Sequence, residues 1–208
     1  MDLLQFQMAT ELNPETAARW FSYVNEAMEE FGITSVQDQS MFIAMVGHES
    51  ESFSRLVESL DYKPSALQKT FHRRISWDQA RILGTTPGHP AQQEAIANLV
   101  YGGEWGKANL GNESYGNGWK YRGRGLLRLT GLAHYRACGE ALALDLETFP
   151  ELLEQDALAA RSAAWLFSHK ACTGHEGDVE LVTLILCGSP RGVEDRRRRF
   201  QRALSVLT

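Results

Sequence analysis

The sequence predicts an all-α fold in a single domain, and three observations predict it. Apolar residues recur at three- and four-residue spacing in nearly every periodic stretch. Helix-start signals stand in front of several of them. A chain of 208 residues, 43% hydrophobic, is also long enough for one substantial core.

The elements follow in order. Asn13-Pro14-Glu15 opens a helix whose Ala17, Trp20, Phe21, Val24, Ala27, Met28 and Phe31 share one face, and Gly32 stops it. Ser35-Val36-Gln37-Asp38 fits an S-x-x-D cap ahead of the apolar run MFIAMV, residues 41–46. Residues 65–71, 76–83 and 91–99 read as short helices. From 101 to 118 the chain is rich in glycine and asparagine without a helical period, so it is expected to be loop, a length that is often functional. A helix over 132–142 follows. Pro150 opens or precedes another, which carries RSAAWLFSHKA, and 179–186 fits a buried helix. Residues 192–207 are amphipathic, with Val193, Phe200, Ala203, Leu204 and Leu207 on one side.

Composition narrows the function. A net charge of −5 argues against a nucleic-acid binder. No run is long and apolar enough to span a bilayer. The start, MDLLQFQMATELNPE, lacks the basic and apolar regions of a secretory signal. Cys138, Cys172 and Cys187 are an odd number, which suits reduced thiols made in a cytoplasm.

The stretch MFIAMVGHESESFSRLVES, residues 41–59, carries the sharpest chemical signal. On a helix Glu49 follows Val46, Met45 and Phe42 along their apolar stripe and falls in the last turn. Poor solvation and the negative end of the helix dipole both disfavour a charged carboxylate, the setting of a general acid. Glu58 comes after a polar stretch that lets the chain turn. Two carboxyls in unlike environments are the minimum equipment for glycoside hydrolysis. The plainer alternative is a helix-end acid turned to solvent with an unrelated surface glutamate.

Other constellations weigh less. His48-Glu49 invites a zincin motif, but position 52 is serine where a second histidine is required. His169, Cys172 and His175 have ligand-like spacing, and a zinc amidase would use such residues; buried thiols and helix-surface histidines are the commoner explanation. RGRG at 122–125 lacks the strand and the G-K-S/T of a phosphate loop. The run 191–204 has six arginines against two acids, yet its apolar side marks a packed helix with a solvated face. Trp105, Tyr115 and Trp119 lie in or beside the glycine-rich stretch, where aromatics stack on sugars or pack the loop.

GNGWKYRGRGLLRLTGLAHYRACG, residues 116–139, resembles the Y-x-G-R-G-x-x-Q-L-T-x-x-x-N-Y signature of glycoside hydrolase family 19. GHESESF is similar to that family's catalytic H-E segment and VESLDYKPSAL to its V-x-E-N-L-x-Y-S-A segment. YGGEWGKANLGNE resembles its Y-G-G-R-x-G-N loop, and RGVEDRRRRF its G-L-x-D-R-x-x-R-Y ending. The matches run from about residue 41 to 200. Short loops and the lack of disulfide-type cysteines resemble the phage endolysin branch, not the plant chitinases.

The resemblance implies a lysozyme-like all-α domain over 1–208, with two lobes around a substrate groove and no separate wall-binding module. It implies an inverting enzyme with Glu49 as general acid, Glu58 as base and Thr130 holding the water. His48, Tyr62, Tyr121, Arg128, His134, Tyr135 and Arg196 would contact substrate or approach the site. Three positions depart from the family pattern: Arg128 replaces glutamine, His134 replaces asparagine, and Cys187-Gly188-Ser189 stands for asparagine-glycine-glycine. Arg128 would suit an anionic, peptide-bearing glycan. The expectation is a monomeric muramidase acting on peptidoglycan strands, made in a host cytoplasm and released with the help of a holin. No cofactor, metal, nucleic acid or stable membrane insertion is expected. A chitinase on the same fold, a zinc amidase and a catalytically inactive glycan-binding module are the alternatives.

Overall fold

A computed structural model describes residues 1–175 and 177–208. Among them the chain is mainly helical and forms no strand, beyond one isolated bridge between Thr86 and His89. The chain falls into two compact units. The first comprises Met1–Leu56, Arg124–Arg128 and Glu151–Thr208; the second comprises Val57–Gly123 and Leu129–Pro150.

The first unit holds α1 (Leu3–Thr10), α2 (Pro14–Glu30), α3 (Val36–Glu49), a 3-10 turn (Pro150–Glu154) that begins one residue before its last segment, and, near its C-terminal end, three further helices. Asn13 caps α2 through Thr16 N–H and Ser35 caps α3 through Asp38 N–H, each contact contributing about 1 kcal/mol. The first helix has its own capping box, Asp2 with Gln5, a D-x-x-Q signal at its start. In α3 every residue from Ser40 to Gly47 is buried, so this helix is apolar all round and serves as the unit's axis. Phe42 meets Phe167 edge-on, while Phe6 and Trp20 close over Phe53.

The second unit begins with α4 (Pro64–Phe71), α5 (Trp77–Leu83) and α6 (Gln93–Val100), packed around Leu60, Leu67, Phe71, Ile75, Ile96 and Val100. Residues 101–118 differ from the expected loop, because α7 (Gly103–Leu110) and the short α8 (Asn117–Lys120) form within them. Glycines mask the helical pattern while making it possible. Gly111 ends α7 in the left-handed conformation, and a Cβ on Gly106 would lie 2.0 Å from the Tyr101 carbonyl oxygen. A further helix, α9 (Leu132–Leu142), completes this unit.

The chain then returns to the first unit as α10 (Asp156–His169), α11 (Val179–Cys187) and α12 (Val193–Leu207). The expected burial of 179–186 holds on one side only: Val179, Val182 and Thr183 are buried, while Leu181 and Leu184 face solvent. Helix α12 packs along α3 and α1. The approach is close at Gly47, where a Cβ would stand 3.0 Å from an Arg199 Nη1.

Candidate active site

Glu49 is the last residue of α3. Its carboxylate is not immersed in the apolar stripe that its spacing suggests. Arg196 from α12 reaches it, donating from Nη2 to Oε1. This guanidinium is 2% exposed, gives Nη1 to the Arg191 carbonyl at 2.7 Å, and has no hydrogen-bond partner at Nε. A cation so deeply buried is costly unless paired, so Glu49 and Arg196 hold one another in place.

Two further residues converge on the same carboxyl. The Cys187 sulfur stands 3.4 Å from Glu49 Oε1 and 3.2 Å from Arg196 Nη2. Atoms packed around the sulfur of this surface-exposed cysteine, and then the charge of Glu49, push its thiol up to about 12. Arg128 donates from Nε to the Glu49 carbonyl at 2.5 Å and reaches Glu51 Oε1 at 3.5 Å. Its backbone is left-handed, φ 54°, a conformation that costs a non-glycine residue about 1–2 kcal/mol. Arg128 therefore braces the end of α3, whereas the sequence expectation has it reaching for substrate.

His48 lies with Nδ1 2.8 Å from Asp195 Oδ2, and Gly192 is pressed onto its other nitrogen, where a Cβ would sit 2.4 Å away. Burial works to raise Asp195, but hydrogen bonds from Arg199 and His48 and the charge of Arg199 outweigh it and hold its carboxyl well below the usual range. His48 thus fastens α3 to α12 beside Glu49. After Glu49 the chain leaves through Glu51, Ser52 and Phe53, all left-handed, a turn held by Phe53 N–H on Ser50 Oγ at 2.8 Å.

In the second unit Glu58 is gripped by neutral donors. Tyr101 donates its hydroxyl to Oε2 at 2.8 Å and Gly123 its N–H to Oε1 at 2.6 Å, while Glu58 N–H returns a bond to the Gly123 carbonyl at 2.9 Å. Burial, then the neighbouring Glu58, raise Tyr101 well above the ordinary phenol range, so it is a permanent donor. Asn112 holds the Tyr101 carbonyl at 2.8 Å and takes the Leu132 N–H at the start of α9. Thr130 lies just before that helix, and its carbonyl is 2.8 Å from His134 Nδ1.

Three aromatic expectations change. Tyr121 and Tyr135 are 4% and 0% exposed, and their hydroxyls donate to the Glu147 and Arg122 carbonyls. They are packed ring against ring at 5.3 Å instead of lining a surface for sugar. Tyr62 is partly buried and edge-on to Phe71 in the core of its unit. Trp105 and Trp119 each carry a guanidinium over the ring, from Arg74 at 3.9 Å and Arg122 at 3.6 Å, and Tyr115 stands 94% exposed.

The H-x-x-C-x-x-H spacing does not gather into one centre. His169 stacks on Trp165, Cys172 is buried, and the His175 ring meets the Ala171 carbonyl at 2.8 Å. Tyr101, Asp195 and Gly123 join the site without a signal in the sequence. Tyr101 opens the glycine-rich stretch and Asp195 the arginine run, and neither spacing announces a carboxylate partner.

No family model matches the chain. Over 193 residues it is 32% identical to a glycosyl hydrolase family 19 domain-containing protein of Haemophilus influenzae, covering 93% of this chain and 91% of that one. Its fold is similar to that of chitinase C from Streptomyces griseus HUT6037, with a TM-score of 0.60 at 16% identity, covering 99% of this chain and 91% of that one. A bacterial family 19 chitinase gives a TM-score of 0.54 at 17% identity, covering 99% and 94%.

Proposed function

From the premise that the chain belongs to glycosyl hydrolase family 19 and is a glycoside hydrolase, we propose that it cleaves the β-1,4 bonds of peptidoglycan by inversion. The observation that carries this reading is the contrast between two carboxylates. Glu49 is met by a buried cation, whereas Glu58 accepts from two neutral donors, Tyr101 and Gly123.

In this mechanism Glu49 protonates the leaving sugar oxygen, and the carboxylate it becomes is met at once by Arg196. Glu58 accepts a proton from the attacking water, with Tyr101 and Gly123 aligning its two oxygens. Thr130, whose hydroxyl can both donate and accept, helps hold that water. His48 and Arg128 act from behind Glu49, and His134 stands where the family pattern places a sugar contact.

The murein substrate rests on the likeness of the short loops to the endolysin branch, since Arg128 and Cys187 are engaged with Glu49 and its neighbours. Residues 1–208 act as one monomeric catalytic domain. The role that fits is that of a phage endolysin, made in the host cytoplasm and passing to the wall through a holin lesion. The second reading is a chitinase, the activity named for both solved structures that share the fold.

Digestion of purified murein tests the assignment. Products should carry reducing-end muramic acid whose first-formed anomer is α, and Glu49→Gln should abolish them while recovering partly on a substrate with a good leaving group. A β anomer would remove the role of Glu58, freed peptide would indicate an amidase, and cleavage of chitin alone would move the substrate.

A further inference from the structure

The structure brings to Glu49 one group that the mechanism above does not use. Cys187 closes α11, which stops there because Gly188 turns left-handed at φ 65° and returns its N–H to the Leu184 carbonyl. That ending delivers the sulfur to 3.4 Å from Glu49 Oε1 and 3.2 Å from Arg196 Nη2. The sulfur accepts from the guanidinium and gives its own proton to the carboxylate. Cation, thiol and acid so form one closed cluster.

The chemistry of that donor matters. A thiol is a weak donor, whereas a hydroxyl or amide would bind an ionised carboxylate more strongly and so oppose its reprotonation between turnovers. With the thiol pushed up to about 12, the S–H is intact over the range in which a hydrolase of this kind works. Both Arg196 and Cys187 engage Oε1; Oε2 faces the Arg128 Nε only at 3.9 Å. The oxygen with weaker engagements is the one able to carry and deliver a proton.

We infer that Cys187 is a positioning residue for the catalytic acid: held between Arg196 and Glu49, its thiol turns the carboxyl so that the transferable proton sits on Oε2. This rests on Glu49 being the acid.

The test compares pH–rate profiles of the full-length protein and its Cys187→Ser and Cys187→Ala variants on purified murein, with thermal unfolding as a control for folding. A general acid works only while protonated, so activity falls on the alkaline side. Serine binds the ionised carboxylate more strongly, and its alkaline limb should move to lower pH by about half a unit with kcat within a few-fold of the parent. Alanine removes the contact, so its limb should move to higher pH while kcat falls about tenfold at unchanged KM. Superimposable alkaline limbs in the three proteins, or changes confined to KM or melting temperature, would overturn the inference. Inactivity of Glu49→Gln together with superimposable limbs would refute Cys187 alone; full activity of Glu49→Gln would refute both assignments.

Discussion

Tyr101 and Glu58 are joined by a single hydroxyl, 2.8 Å from the carboxylate oxygen Oε2, and the tyrosine's own carbonyl is tied to Asn112. The side chain that orients the candidate base is thereby anchored at both ends. Tyr101→Phe keeps the ring in its apolar seat and removes only the donor. Leaving a carboxylate oxygen short of its partner costs about 1–3 kcal/mol. We expect kcat on murein to fall roughly tenfold or more with KM little changed. A variant whose kcat equals the parent's would show that Tyr101 only packs.

Asp195 sets the acid side of stability. Its folded-state carboxyl is depressed, so it contributes stability that is present above the ordinary aspartate range and is lost as pH falls through that range toward the folded value. Asp195→Asn should therefore melt lower than the parent at pH 7, with the gap narrowing steadily below about pH 4. Tyr101 acts in the opposite sense, its contribution complete below the ordinary phenol range and lost as pH rises beyond it. Melting curves across pH check both; a constant gap for Asp195→Asn would contradict the first.

Arginines of α12 should separate by burial. Arg196 is 2% exposed and faces Glu49, so Arg196→Met should cost about 3 kcal/mol and abolish turnover at any salt concentration. Arg198 is 69% exposed, and Arg198→Gln should change stability by less than about 1 kcal/mol. Arg199, bonded to both Asp195 and Ser52, should fall between them. Denaturant unfolding and assays in low and high salt distinguish the three. Equal effects would deny Arg196 its place.

Much of this architecture is legible in the residues alone. Asn13 and Ser35 announce α2 and α3, and the family motifs nominate both glutamates, because caps and motifs are local in sequence. Residues 101–118 conceal α7, since Gly106 is there for a close backbone approach and not for flexibility. The partners of Glu49 are harder to find. Arg196 lies 147 positions from Glu49, and no periodicity shows that it, the most deeply buried of four consecutive arginines, meets that carboxylate while Arg199 turns to Asp195 and Ser52. Glu49 has the apolar spacing of a buried acid, yet tertiary packing supplies a cation where the stripe suggests only hydrocarbon.

The raised thiol gives a chemical readout of the cluster. Cys187 has surface exposure, but a thiol pushed up to about 12 is almost wholly protonated at pH 8 and should alkylate slowly. Part of that elevation comes from the charge of Glu49, so Glu49→Gln should speed alkylation of Cys187 by iodoacetamide several-fold, as read by peptide mass analysis. Cys138 and Cys172 are buried and should stay unlabelled in both proteins. An unchanged rate in the variant would break the proposed coupling.

Because α12 lies along α3, the axis of the first unit is completed by a helix synthesised long after it. At about 5–20 residues per second, the 147 positions between Glu49 and Arg196 represent about 7–30 s of translation. Throughout that interval a helix buried from Ser40 to Gly47 in the folded state waits without its neighbour, its apolar surface open to other chains. Glu49 also waits without its guanidinium. A protease trimming α12 would therefore take the guanidinium from Glu49 as surely as a mutation of Arg196 itself.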